Sequence, residues 1–199
     1  MDTTTANAVL AILQGPTTPP RARIDAPNPD EYFEYYGRYV SRTPPGDFMD
    51  VLRRQAEQMV QTFGSLTPAQ GQFAYEPGKW SVAEVIGHMA DTERIFAYRA
   101  THMARGDQNE LPGMEQDDWM RGAGFTGRSH DDVLREWLVV RAATIAMVTA
   151  LPADAPTRTG TASGRKFSVR ALLHIIPGHT EYHLALHAER YVGSKNWPK

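Results

Sequence analysis

Four stretches of the chain repeat apolar residues at every third or fourth position, and this periodicity constrains the fold more than any other feature. Such spacing gathers apolar side chains on one side of an α-helix. The stretches cover residues 47–63, 81–105, 129–150 and 168–191. Because no alternating apolar pattern competes with them, we predict four amphipathic helices and no strand.

The starts of these helices carry capping residues. Ser81 is followed three positions later by Glu84, a capping-box pattern, and Ser129 with Asp132 repeats the same logic. Pro177 lies inside the fourth predicted helix. A proline there removes one backbone hydrogen bond and crowds the preceding turn, so we expect a bend.

The segments between the helices are long. Residues 106–128 are rich in glycine and read as a crossover loop, anchored by Trp119 and Phe125, and residues 152–167 also read as a loop. Four helices with long crossover connections predict an all-α fold, a four-helix bundle. We place it in one domain over residues 31–199.

The beginning of the chain differs from the rest. Residues 1–30 contain five prolines and predict a flexible or extended N-terminal arm, whose short apolar run at 8–13 is a tail or a docking turn. An aromatic cluster follows. Its rings either pack from a short helix against the core, or form the wall of a pocket or a dimer contact. The cluster comprises Tyr32, Phe33, Tyr35, Tyr36 and Tyr39.

Charge and composition exclude several classes of protein. The 21 basic residues are balanced by 23 acidic ones, so the chain lacks the basic field that binding to nucleic acid needs. It contains no cysteine, which excludes disulfides and thiolate metal sites. No apolar stretch is long enough to predict a membrane span, and a cytoplasmic location is the simplest expectation.

Histidine spacing gives the first indication of chemistry. His179 and His183 are four residues apart, which on a helix separates them by about 40° around the axis and about 6 Å along it. Two imidazoles placed in this way can bind one metal ion. Thr180 occupies the position where a zinc protease carries its glutamate, so a metalloprotease is a poor interpretation.

A third histidine has a matching helical phase. His88 lies seven residues after Ser81, and His179 lies eleven after Ser168, so each is within about 20° of whole helical turns from its cap. A glycine directly precedes each of the two. His183 and His187 form an alternative pair at the same spacing. We expect the remaining histidines on the surface or at loop ends: His102, His130 and His174.

Three imidazole ligands without a fourth protein ligand are typical of a catalytic metal site, because water or substrate can take the open position. We predict that the site binds a divalent transition metal. Zn and Ni are the preferred ions, and Fe, Mn and Cu are alternatives. Asp91 and Glu93 are candidates for supporting the ligands or transferring protons, or else are helix-surface carboxylates paired with Arg94 or a neighbour. Arg99 either binds an anionic co-substrate or braces one of these two carboxylates.

Two strings, 79–99 and 178–183, together resemble the DinB/YfiT-like superfamily of metalloenzymes, in its DinB-like damage-inducible branch. The resemblance covers about residues 30–192. It implies a four-helix bundle, often dimeric, with a metal held by one histidine of the second helix and a pair on the last. The implied ligands are His88, His179 and His183, rather than His187. Pro177 departs from the family's usual last helix, which leaves the orientation of His179 less constrained.

The resemblance also implies a reaction class, since better-understood relatives are transferases and isomerases that use bacillithiol, mycothiol or glutathione. A low-molecular-weight-thiol S-transferase acting on a small molecule is therefore our first functional expectation. A metal-dependent hydrolase, or a non-enzymatic metal-binding protein of a stress response, is the alternative. The family name refers to induction by DNA damage and does not predict DNA binding.

Overall fold

The computed structural model describes Leu13 and residues 20–199, so most of the predicted arm, including 8–12 of its apolar run, lies outside the described residues. Seven α-helices occur in the described part. They are α1 (Gly37–Val40), α2 (Phe48–Phe63), α3 (Pro68–Gly71), α4 (Val82–Ala104), α5 (Gln116–Gly122), α6 (His130–Thr149) and α7 (Val169–Leu186). Helix α7 continues into a π-helical segment, His187–Val192. Short 3-10 segments cover Pro29–Glu31, Glu34–Tyr36 and Ala155–Thr157.

The four predicted helices are confirmed as α2, α4, α6 and α7, and each begins at a capping side chain. Both hydrogen bonds of the capping box between Ser81 and Glu84 are present at the start of α4. The hydroxyl groups of Ser129 and Ser168 accept backbone N–H groups in the first turns of α6 and α7. These bonds satisfy donors that a helix start otherwise leaves free.

The long helices form a four-helix bundle, as predicted. Helix α4 packs along both α6 and α7, and α2 packs against α6 and α7 on the other side. The fully buried side chains at their interfaces include Leu52, Met59, Ile86, Met89 and Trp137. No helix in the described part is long and apolar enough to cross a membrane.

A β-hairpin interrupts the predicted loop at 152–167, so the expectation of no strand is wrong. Strand β1 (Thr159–Ala162) pairs antiparallel with β2 (Arg165–Ser168) through a two-residue turn at Ser163 and Gly164. Both turn residues have positive φ, 53° and 69°, as a tight hairpin turn requires. Each strand has only four residues and β1 contains a glycine, so neither gives an alternating pattern, and only the Ser-Gly pair signals the turn.

The crossover at 106–128 is also more ordered than predicted, because it contains α5. Phe125 is buried, as expected of an anchor, but Trp119 on α5 is 45% exposed and does not anchor the segment. The backbone of Leu111 instead pairs with the hairpin, donating to Thr161 and accepting from Ser163.

The residue that directly follows the predicted arm, Glu31, is fixed to the start of α7. The carboxylate of Glu31 pairs with Arg170 and accepts a hydrogen bond of 2.6 Å from the Ser168 hydroxyl. These bonds hold the pKa of Glu31 at about 2, against the smaller opposing effect of burial. A domain boundary at residue 30 stays a prediction.

A buried arginine links all four long helices. Arg141 on α6 is fully buried, and its Nε and Nη2 donate to the two carboxylate oxygens of Glu93 on α4 at 2.8 and 2.9 Å. Its Nη1 donates to the Leu52 carbonyl and the Gln55 side chain on α2, and Nη2 also reaches Thr180 on α7. All five N–H donors of the guanidinium are therefore used.

Gln55 extends this network towards the last helix. Its Nε2 donates to the Pro177 carbonyl at 2.9 Å and to the Glu181 carboxylate at 2.7 Å. The α-helix runs without interruption through Pro177, while the bend expected there stays a prediction. The network therefore joins α2 to α7 at positions both before and after Gly178 and His179 in the chain.

Gly178 allows a close approach between two segments of the fold. A Cβ atom built at this position would lie 1.9 Å from the carbonyl oxygen of Tyr39. No side-chain rotation relieves this clash, because the neighbouring atom belongs to the backbone. The glycine therefore sets how near α1, which carries Tyr39, lies to α7.

We expect Glu93→Ala to lower the free energy of unfolding by about 3–5 kcal/mol, because it leaves the buried charge of Arg141 without its partner. Asp91→Ala, two residues away, is the control. Asp91 pairs with Arg94 at a partly exposed position, so its loss should cost less than about 1 kcal/mol. Urea denaturation measures both. Equal costs for the two variants would contradict a structural role for the buried pair.

We expect Gly178→Ala to destabilise the protein by at least about 1–3 kcal/mol, the usual cost of overpacking, since α1 must move away from α7. Gly122→Ala is the matched control, because a Cβ at Gly122 meets no atom within 4 Å. Thermal unfolding of the two variants tests this. A melting temperature for Gly178→Ala equal to that of the control would show that the contact tolerates a side chain.

Candidate metal centre

Three histidines meet where α4 packs against α7. His88 lies two turns into α4, and His179 and His183 follow one another on one face of α7. Their exposed fractions are 5%, 5% and 8%, so all three are buried. The ligand atoms of the three side chains lie within 4.8 Å of one another.

The ring nitrogens of the three histidines converge on a point. The Nε2 atoms of His88 and His179 are 3.2 Å apart, and those of His183 and His179 are 3.1 Å apart. Two nitrogens that each lie 2.0–2.1 Å from a tetrahedral zinc ion would be about 3.3–3.4 Å apart. The spacing of the nitrogens therefore fits a shared metal ion.

Hydrogen bonding alone satisfies this cluster poorly. The Nε2 of His179 faces two other Nε2 atoms, and it carries either one lone pair or one proton. A single neutral tautomer can therefore make at most one of the two contacts well. A cation between the rings would accept all three lone pairs, so the residues present fit a metal ion.

The cluster is neutral at physiological pH. Burial lowers the pKa of His88 to about 4 and that of His183, where the nearby His88 adds to the effect, to about 3. Burial together with the two other imidazoles holds the pKa of His179 well below its usual value. Neutral imidazole is the form that binds metal, so little proton release need accompany binding at pH 7.

The glycines that directly precede His88 and His179 have a steric explanation. A Cβ at Gly87 would lie 2.6 Å from the Phe125 ring, so this glycine lets the crossover segment lie on α4 beside His88. Gly178 does the same for α1 beside His179. The sequence showed the repeated Gly-His pair, and the structure shows that each glycine admits the segment that helps to bury its neighbour.

Aromatic rings surround the imidazoles. The ring of Trp80 lies 4.8 Å from that of His88, and the ring of Tyr39 lies 5.1 Å from that of His179. Tyr182 lies 5.2 Å from His183. Among the described residues, the buried Nδ1 of His183 has no hydrogen-bond partner, so this ring is held by packing.

Two cavities meet at the histidines. The larger, about 970 Å³, has His183 in its wall together with Trp80 and Tyr182. The smaller, about 380 Å³, has His88 and His179 in its wall. Four residues line both cavities: Tyr35, Tyr39, Gln116 and Asp117. The two accounts of the aromatic cluster each apply to some of its rings, since Tyr36 and Tyr39 pack on the core, and both of these and Tyr35 form cavity walls.

The structure places the two candidate carboxylates differently. Asp91 pairs with Arg94 at 2.8 Å, as the surface interpretation expected, and burial raises the pKa of Asp91 despite this pairing. Glu93 is buried, and Arg141 engages both of its oxygens. Thr92, the residue between them, reaches a histidine of the centre, with its hydroxyl 3.5 Å from Nδ1 of His88.

Arg99 lies at the other end of the smaller cavity and braces neither candidate carboxylate. Its Nη2 donates to the Pro112 carbonyl at 2.7 Å and to the Ser163 hydroxyl at 3.1 Å. Only 4% of the residue is exposed. Burial lowers the pKa of Arg99, an effect that the adjacent Tyr36 phenol partly opposes.

The other histidines lie away from the centre. His187 packs against Phe63, with ring centroids 4.8 Å apart. His130 is buried but lies at the first position of α6, where the preceding loop ends, so its expected loop-end position is confirmed. His174 is buried inside α7, so the expectation of a surface or loop-end position is wrong for it. Gly71 of the short α3 lies against the His130 side chain, and Phe48 lies against His174. These contacts join residues far apart in the chain, so the helical periodicity around each histidine could not predict them.

Sequence reasoning missed several residues around the centre. Thr92 follows His88 by four positions, so helical spacing could have identified it. Gln116 and Asp117 lie on α5, and Ser163 lies in the hairpin turn, in segments that were predicted to be loops. No pattern in the sequence brings these segments to the histidines.

Comparison with known proteins agrees with this architecture. YfiT from Bacillus subtilis, described as a probable metal-dependent hydrolase with an unusual four-helix bundle topology, superposes with a TM-score of 0.62. The match covers 84% of this chain and 93% of that one at 17% identity, and so shows a shared fold. No curated protein matches the sequence. The family model of the DinB superfamily matches residues 51–186, which include all three histidines, and the chain therefore belongs to the DinB superfamily.

Proposed function

We propose that this protein is an enzyme that holds one divalent transition metal through His88, His179 and His183. The observation that carries the proposal is a buried, neutral imidazole triad at the junction of two cavities. A structural site would need no such access, because its coordination is closed by protein ligands. Zn and Ni are the ions that we favour, since imidazole suits both.

A divalent ion at this place would supply a Lewis acid that stabilises a thiolate or hydroxide at neutral pH. The protein's own residues prepare the surroundings. Trp80, Tyr39 and Tyr182 cover the imidazoles and exclude water from their edges. The network of Arg141 fixes α4 relative to α7, and with them the separation of His88 from the other pair.

We further propose that the reaction is transfer of a low-molecular-weight thiol to a small electrophile. Group transfer needs two substrates at one centre, and the triad has one histidine facing the larger cavity and two facing the smaller. The chain has no cysteine, so the thiol would come from the co-substrate. We also propose a homodimer, which the family resemblance implies, and a location in the cytoplasm, the simplest expectation from the sequence.

Metal-dependent hydrolysis is the second candidate. YfiT, which shares the fold, is described as a probable hydrolase of this kind. Hydrolysis needs one organic substrate and a water molecule, and the larger cavity of about 970 Å³ has room for both.

Protein purified without a histidine tag should contain about one divalent transition metal ion per chain, measured by plasma mass spectrometry. His183→Ala should weaken metal binding by more than the roughly 10–100-fold that loss of a supporting group costs. His187→Leu is the control. His187 follows His183 by four residues, just as His183 follows His179, but its ring packs against Phe63. Undiminished binding by His183→Ala, or equal loss in the control, would disprove the ligand assignment.

The metal-loaded protein should conjugate an electrophile with glutathione, mycothiol or bacillithiol. Removing the metal by chelation should abolish the conjugation while far-ultraviolet circular dichroism shows that the helices persist. Activity with none of the three thiols would exclude the transferase, and hydrolysis of esters or amides by the same preparation would then favour the second candidate. Loss of the helices on chelation would instead indicate a structural metal.

A further inference from the structure

The smaller cavity contains a charge that the fold leaves without a counter-ion. Arg99 is almost completely buried, and the groups around its guanidinium are neutral: the Pro112 carbonyl, the Ser163 hydroxyl and the Tyr36 phenol. Within residues 20–199 no carboxylate forms an ion pair with it. A buried guanidinium without an anion is costly, because neutral partners return only part of its lost hydration.

The carboxylates in the wall of this cavity do not neutralise the charge. Glu115 and Asp117 line the same cavity, but both are exposed to solvent and neither is within ion-pair distance of Arg99. In contrast, the buried Arg141 on α6 forms an ion pair with Glu93 on α4. The fold thus pairs the arginine that it uses for stability and leaves unpaired the one that faces a cavity.

Helical geometry aligns Arg99 with the candidate metal centre. Arg99 follows His88 by eleven residues on α4, which is about three turns, so the two lie on one face about 16 Å apart along the axis. Thr92 and Phe96 lie between them on that face and line the same cavity. A single elongated molecule in the cavity would meet the imidazoles at one end and the guanidinium at the other.

We propose that Arg99 is the subsite for a carboxylate group of the substrate, whose other end reaches the histidine triad. The guanidinium suits a carboxylate because its Nε and Nη1 carry further N–H donors for charge-assisted hydrogen bonds, beside the two that Nη2 gives to Pro112 and Ser163. The hairpin turn holds Ser163 against Nη2, and so fixes the orientation of the guanidinium plane. This inference rests on the proposed function for the role of the triad, but carboxylate binding by Arg99 can be tested without any metal.

The first experiment titrates metal-free protein with hexanoate and with 1-hexanol, and follows the ¹⁵N–¹H resonances of the arginine side chains. Hexanoate should bind and shift the Arg99 Nε signal, whereas the alcohol should bind at least about tenfold more weakly, as expected for loss of a charged hydrogen-bonded pair. Equal affinity for the two compounds would overturn the proposal.

Variants locate the binding. Arg99→Gln should weaken hexanoate binding about 10- to 100-fold. Arg38→Gln is the matched control, since Arg38 lies in the wall of the larger cavity over the Tyr35 ring and should leave binding unchanged. If Arg99→Gln does not fold, Arg99→Lys keeps the charge but loses the separate donors of Nε and Nη1, and should bind hexanoate several-fold more weakly than the wild type. Wild-type affinity in a folded Arg99 variant would overturn the proposal.

Two further measurements separate this subsite from the metal centre. His183→Ala should keep its hexanoate affinity even where it loses the metal, so failure of the proposed metal site leaves the carboxylate test intact. In metal-loaded protein, an ω-mercaptocarboxylate long enough to span the cavity should bind at least tenfold more tightly than the carboxylate or the mercaptoalcohol of the same length. No gain at any chain length would show that one molecule does not bridge the two ends.

Discussion

The buried ion pair between Arg141 and Glu93 is the interaction on which the arrangement of the bundle depends. It is completely desolvated, and it repays that cost because every donor of the guanidinium has an acceptor on α2, α4 or α7. Hydrophobic packing alone permits helices to slide and rotate slightly, whereas these directional bonds fix their register. The three imidazoles need such a register, because they come from two different helices. The Nε2 atom of His179 lies about 3 Å from the Nε2 atoms of the other two.

Burial of the triad depends on close approach of segments outside the four long helices. Gly87 and Gly178 lack side chains where the Phe125 ring and the Tyr39 backbone lie against α4 and α7. A larger residue at either place would separate these segments from the bundle and admit water beside the histidines. The low pKa values of His88 and His183 follow from the exclusion of that water, and they keep the lone pairs available to a metal.

The cavities are built largely by the connections rather than by the helices. The crossover supplies Gln116 and Asp117 on α5, and the hairpin places Ser163 beside Arg99. This division is common in enzymes, in which a rigid scaffold carries the reactive groups while loops determine what can enter. In this protein the scaffold holds the histidines, and the connections make one cavity end at Arg99, a buried arginine that pairs with no carboxylate of residues 20–199.

The sequence by itself determined the four helices, their capped starts and the candidate triad, because helical periodicity and capping are local and leave a readable pattern. It also identified Arg99, but not its role. The hairpin, α5, the burial of His130 and His174, and the pairing of Glu93 with Arg141 were decided by tertiary structure. Each depends on contacts between residues far apart in the chain: Glu93 looks like any helix carboxylate until α6 packs against α4. The triad itself required both levels, since helical phase placed each histidine on a face and only packing brought the two faces together.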